Sequence, residues 1–213
     1  PLIFNWTADQ VPAILYTWWL GSEAGNAIAD VLFGDYNPSG KLPISFPREE
    51  GQIPIYYNHF NTGRPAPNET ATNYVSAYID LKNSPKFPFG YGLSYTTFNY
   101  SDLQLSKKVM KKNETITVSF TLTNNGKFDG EEVVQLYLKD QVGSVVRPVK
   151  ELRDFQKVFL KAGASQKITF TIDKEKLAFY NAKLEWAPEP GAFEVQLGAS
   201  SADIRLKDNF ELL

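Results

Sequence analysis

The sequence predicts a mixed fold, in which the terminal βα part of an α/β layered domain runs into an all-β sandwich. Three observations carry that expectation. A continuous apolar run over residues 13–20 is followed by a segment of helical period, the pattern of a strand buried on both faces and its crossover helix. Beyond Tyr100 the apolar residues alternate with period 2 in short segments separated by turns. Between the two lies a break in composition: residues 1–98 hold 10 of the 13 prolines, 3 of the 4 tryptophans and only 5 Lys or Arg, whereas residues 99–213 hold 3 prolines and 17 Lys or Arg. The expected division is 1–48 as a C-terminal remnant of the α/β layers, 49–98 as a long ordered connector, and 99–213 as the sandwich.

Pro12 and Gly21 bound the run Ala13-Ile-Leu-Tyr-Thr-Trp-Trp-Leu20, so a strand is expected there. A helix should follow. Ser22 is expected as its N-cap, Glu23 complements the positive end of its dipole, and Ala24, Ala27, Ile28, Val31 and Leu32 recur on one face. Gly34 closes it. Asp35-Tyr-Asn-Pro-Ser-Gly40 is a turn cluster, and the prolines of Lys41-Leu-Pro-Ile-Ser-Phe-Pro47 suit only an edge segment. Residues 48–98 are rich in Pro, Asn, Thr and Tyr without sustained period, and such long irregular segments are usually functional or wrapped on another surface. Strands are then expected at Thr115–Thr123 and Glu132–Lys139, joined by the turn Asn124–Gly130, and at Asp154–Leu160, Gln166–Ile172, Leu177–Tyr180 and Phe193–Gly198. Short strands at this spacing make a sandwich of the fibronectin type III or immunoglobulin kind.

Composition excludes several classes of function. With 22 basic against 24 acidic side chains there is no cationic surplus to hold phosphate backbones, so nucleic acid is not expected as a partner. Zero cysteine removes disulfides, thiolate metal sites and cysteine nucleophiles. His59 is the sole imidazole, which rules out a multi-histidine metal site and leaves it as the one base for any serine triad. The longest apolar stretch, Val11–Leu20, is about half the ~20 residues that span a bilayer, so no membrane partner is expected. The opening Pro1-Leu2-Ile3 reads as a cut and not as a start.

Four segments in order carry a resemblance. Gly21-Ser-Glu-Ala-Gly-Asn-Ala-Ile-Ala-Asp-Val-Leu-Phe-Gly-Asp-Tyr-Asn-Pro-Ser-Gly-Lys-Leu-Pro-Ile-Ser-Phe-Pro47 resembles glycoside hydrolase family 3, the β-glucosidases and β-xylosidases. Asn61-Thr-Gly-Arg-Pro65, Phe87-Pro-Phe-Gly-Tyr-Gly-Leu-Ser-Tyr-Thr-Thr-Phe98 and Arg147-Pro-Val-Lys-Glu-Leu-Arg-Asp-Phe155 agree with it, and the whole chain is most similar to the C-terminal part of the bacterial periplasmic β-glucosidases. The resemblance implies a larger enzyme built from a (β/α)8 barrel, an α/β sandwich and a fibronectin type III-like domain, of which this chain holds the end of the second and all of the third. It implies a retaining mechanism, with a nucleophilic aspartate on the barrel and an acid/base glutamate in the α/β sandwich. The aspartate motif has no match here, and the glutamate's loop is expected upstream. No catalytic residue, metal ligand or cofactor is therefore expected within the chain. The implied partners are a β-glucoside oligosaccharide bound by the full-length enzyme, the upstream barrel, and a second copy in a homodimer; the implied location is periplasmic or secreted.

Several residues that could carry chemistry fit structural roles. Glu23 and Asp30 read as helix-start and solvent-face carboxylates, His59 as a hydrogen-bonded structural group, and Trp18 and Trp19 as core. In the connector, Tyr56, Tyr57, Asn58, Arg64, Tyr74 and Tyr78 combine aromatic faces with planar polar groups, which suits sugar recognition and equally suits stapling the connector to another domain. The substrate-binding expectation falls on Arg64, Tyr74 and Tyr78 as a leaving-group subsite, with the two tyrosines sharing one face of a helical turn. The alternative for the chain as a whole is a non-catalytic carbohydrate-binding or structural sandwich module, against which stands the buried-strand character of residues 1–48.

Overall fold

Period-2 alternation after residue 97 becomes strands β1 (Phe98–Leu105), β2 (Val109–Met110), β3 (Ile116–Asn124), β4 (Gly130–Asp140), β5 (Glu151–Leu160), β6 (Ser165–Ile172), β7 (Phe179–Tyr180), β8 (Trp186–Ala187), β9 (Gly191–Gly198) and β10 (Ile204–Leu212) in a computed structural model that describes residues 1–71 and 73–213. They form a three-stranded sheet ordered β1-β3-β6, a five-stranded sheet ordered β2-β10-β9-β4-β5, and the β7–β8 hairpin. All pairings are antiparallel except β2 with β10. The inward residues make one apolar core: Ile116, Val118, Phe120 and Leu122 of β3 face Val134, Leu136 and Leu138 of β4 and Val195 and Leu197 of β9, while Tyr100 stacks on Phe120 and Phe193 on Phe210 at 5.4 Å. Four strands, β1, β2, β8 and β10, lie outside those expected. Charged residues interleave the apolar positions of β10 and conceal its half-buried pattern.

β4 departs from the simple sandwich pattern, because it is buried on both faces. Its even-numbered residues point into the core, yet Gln135 and Tyr137 on the other face are 3% and 0% exposed. The outer face should be wet in a free sandwich. Here the connector covers it.

The N-terminal part is built differently. Helices α1 (Asn5–Gln10) and α2 (Ala24–Phe33) form, and no residue of 1–38 is buried. Gly34 closes α2 in the left-handed region at φ +88°, as expected. The N-cap is Glu23 and not Ser22: a turn over Gly21–Glu23 lets the Ala24 N–H donate to the Gly21 carbonyl, so no hydroxyl is needed. The strand expected at 13–20 is also absent. A strand buried on both faces needs neighbours on both edges, and the described residues supply none, so the segment runs extended without a ladder. Trp18 and Trp19, expected in a core, are 41% and 93% exposed.

Burial begins at Ser39. Phe46, 1% exposed, is ringed by Phe4, Tyr16 and Trp18 and bridges Phe87 through its backbone. From there a polar seam joins residues 37–48 and 86–97 to the sandwich. Asn37 donates to the Asp129 carbonyl and accepts from the Ser94 hydroxyl and the Tyr95 amide, each at 2.8 Å. Lys41 Nζ reaches Glu132 of β4 at 3.3 Å and the Gly92 carbonyl at 3.0 Å, and Tyr100 Oη donates to the same glutamate. The seam is close enough to demand glycine: a Cβ on Gly92 would lie 2.1 Å from the Gly40 carbonyl oxygen.

Candidate functional site

The connector carries the candidate site, and its geometry starts at Tyr57. The Tyr57 ring stacks on Phe89 at 4.3 Å and meets Tyr137 edge-on, while its hydroxyl accepts from the Leu152 N–H at 3.1 Å. That amide is available because the β4–β5 register slips by one residue between Asp154 and Leu152. Farther along, the Val149 N–H donates to the His59 carbonyl at 3.0 Å and Phe60 bridges Pro148. Residues 57–60 are thus laid along residues 148–152. On the far side, Gln135 Nε2 donates to the Gly90 carbonyl, and the Ser201 N–H to the Phe89 carbonyl.

Four residues after Phe60 comes Arg64, exposed, with its carbonyl accepting from the Ser76 N–H at 2.7 Å. Pro65 bridges Ser76. Arg64 therefore has its backbone beside the segment that holds Tyr74 and Tyr78. The helical turn expected for the tyrosines is not formed. Tyr74 sits at φ +57° and the bridge at Ser76 keeps the backbone extended after it, so the two rings do not share a helix face. Tyr74 is 87% exposed and Tyr78 41%. His59 Nδ1 lies 3.0 Å from the Phe60 carbonyl, in keeping with a structural role, and Glu23 accepts from Asn26 on its own helix.

Two charged clusters, one half-buried around Arg147 and one around the buried Glu132, flank the connector. Arg147 lies 3.3 Å from Asp140 Oδ2, donates to Glu151 at 2.7 Å, and places its guanidinium 3.8 Å over the Phe179 ring; Arg153 donates to the same glutamate. Burial holds the Asp140 carboxyl above its ordinary range despite the attraction of Arg147. Asp140 and Glu151 are carboxylates brought onto one guanidinium, an ion-pair network and not an acid/base pair. At the seam, burial likewise raises Glu132 against the pull of Lys41 and the Tyr100 hydroxyl, and raises the Tyr100 and Tyr137 phenols. Among the described residues no group of three or more His, Asp or Glu side chains gathers to hold a metal ion. Sequence reasoning passed over Lys41, Glu132, Gln135 and Tyr137; the available signal was a polar and aromatic set on both parities of the strand expected at Glu132–Lys139.

Comparison with known proteins agrees with this architecture. Residues 1–95 match the family model for the glycosyl hydrolase family 3 C-terminal domain, and residues 132–201 that for a fibronectin type III-like domain. The chain is 52% identical over its whole length to a periplasmic beta-glucosidase of Salmonella typhimurium and 42% identical over 99% of its length to a putative beta-xylosidase of Formosa agariphila. It spans 28% and 26% of those relatives, about a quarter of their length. The crystal structure of a beta-glucosidase from Listeria innocua in complex with isofagomine superposes with a TM-score of 0.87 at 45% identity, covering 92% of this chain and 27% of that one.

Proposed function

The chain belongs to glycosyl hydrolase family 3, and from that membership we propose that it is the C-terminal part of a retaining exo-β-glucosidase that releases terminal glucose from β-linked oligosaccharides or glucosides. The observation that carries this reading is the unbroken 52% identity to a periplasmic beta-glucosidase across all 213 residues. The exposed apolar surface of residues 1–38 supports it, since side chains such as Trp6, Trp19 and Phe33 suit the inside of a larger α/β sandwich. On this reading residues 1–48 end that sandwich, 49–98 connect, and 99–213 form the third domain. The nucleophile and the acid/base, which retention needs about 5 Å apart, come from the remainder of the longer protein. The relative's name supports a periplasmic or secreted location, and among the described residues no helix is long and apolar enough to cross a membrane.

The leaving-group subsite is assigned to Arg64, Tyr74 and Tyr78. Left-handed backbone at a tyrosine costs about 1 kcal/mol, and the Tyr74 ring is 87% exposed among the described residues, which supports an external contact for it. In the longer protein, Tyr74→Ala or Tyr78→Ala should lower kcat/KM for disaccharides by about 1–2 kcal/mol and spare small aryl glucosides. The 213-residue chain alone should turn over no aryl β-glucoside. Turnover by the chain alone would overturn the placement of the catalytic pair outside it, and a longer protein without β-glucosidase activity would reject the reading in favour of a binding module.

A further inference from the structure

We propose that residues 147–152 of the sandwich are a docking rail for the connector, and that Tyr57 and Arg147 are positioning residues for the sugar-contacting loop launched from it. The inference rests on the assignment of Arg64, Tyr74 and Tyr78 to the leaving-group subsite. The rail makes three successive contacts with residues 57–60: Leu152 N–H to the Tyr57 hydroxyl, Val149 N–H to the His59 carbonyl, and the Pro148–Phe60 bridge. A loop that is held only at its ends would leave Arg64 free to wander, whereas one fixed at Phe60 has three residues of slack before Arg64.

The rail is itself braced more heavily than a surface loop requires. Arg147 ties the end of β4, through Asp140, to the start of β5, through Glu151, and its guanidinium plane lies on Phe179 beside the β7–β8 hairpin. Lys150 closes the opposite side by donating to the Ser201 carbonyl at 2.8 Å, and Ser201 in turn holds Phe89, the ring under Tyr57. Buried ion pairs of this kind contribute little net stability and are better at fixing one arrangement. The register slip that frees the Leu152 amide points the same way, since bulges commonly re-aim a group next to a functional site. The fibronectin-like domain then acts in catalysis without touching sugar: it sets where the connector presents its aromatic and guanidinium groups.

Two variants isolate the idea. Tyr57→Phe removes one hydroxyl and keeps the ring stack; Arg147→Lys keeps the charge and loses the planar fork and the stacking over Phe179. In the 213-residue chain, hydrogen exchange should speed up in residues 58–66 for both variants while the amides of β3 and β9 keep their protection. In the longer protein, both should lower disaccharide kcat/KM about three- to tenfold, the scale of one lost hydrogen bond, through KM more than kcat, with aryl glucosides unchanged. Tyr74→Ala is the control for the subsite assignment. If it shows the substrate split and Tyr57→Phe and Arg147→Lys do not, the rail is overturned and the subsite stands. If Tyr74→Ala shows no split, both fall together. Equal losses on both substrates, or loss of protection throughout β3 and β9, would make these residues general stabilisers and reject the proposal.

Discussion

Glu132 shows how one side chain can set a pH response. It is held between Lys41, Tyr100 and Arg205 with its carboxyl almost out of water, and desolvation outweighs the neighbouring cations, so its folded-state pKa lies above the ordinary 4.5. The native state therefore binds the proton more tightly than the unfolded chain. Between pH 4.5 and the raised value the folded protein carries more protons, so the Glu132 contribution to stability is fully present below pH 4.5 and declines as pH rises through the folded pKa. Glutamine mimics the protonated form. Urea unfolding of Glu132→Gln from pH 4.5 to about 7 should show a shallower decline than the parent, with the remainder coming from Asp140, which burial raises in the same direction. An unchanged slope would mean that the carboxylate titrates alike in both states.

Leu184, in the turn between β7 and β8, shows an element whose turn chemistry and side chain disagree. Asn181 caps the turn by accepting from the Lys183 and Glu185 amides, but Leu184 has φ +62° and is 83% exposed. Asparagine tolerates that region far better than leucine. Leu184→Asn should raise the free energy of unfolding by about 0.5–1 kcal/mol, read from a denaturant midpoint at constant m-value. The same element scale explains what the sequence made legible. Local chemistry set α2, its Gly34 stop, the turn at Asn124–Gly130, and strands β3, β4 and β6, because a period or a turn residue writes each of them directly. The segment 13–20 forms no ladder among the described residues, because a doubly buried strand is defined by partners outside the local sequence. Of the candidate site, the aromatics and Arg64 were visible as residue types, whereas the helical turn drawn through Tyr74 and Tyr78 failed because a backbone bridge from Ser76 to Pro65, eleven residues away, outweighs a four-residue spacing.

At the scale of the molecule the two faces are unequal. The sandwich closes around one apolar core, while Trp6, Trp19, Leu32 and Phe33 of the N-terminal part are 64–93% exposed. Sedimentation of the 213-residue chain should show concentration-dependent association, weakened when Trp19, Leu32 and Phe33 are changed together to serine; a strictly monomeric parent would contradict this. The seam has a different consequence, in chain continuity. Residues 37–60 grip the sandwich before the exposed part of the connector and residues 86–97 grip it afterwards, so the covalent path between them is redundant for holding the halves together. A protease sequence inserted between Pro67 and Asn68 and then cleaved should leave fragments 1–67 and 68–213 migrating as one particle in size exclusion, separating only in denaturant. Fragments that part in plain buffer would show that the intervening backbone carries tension. If they stay together, the single polypeptide behaves as two pieces that assemble, and new termini could be opened there.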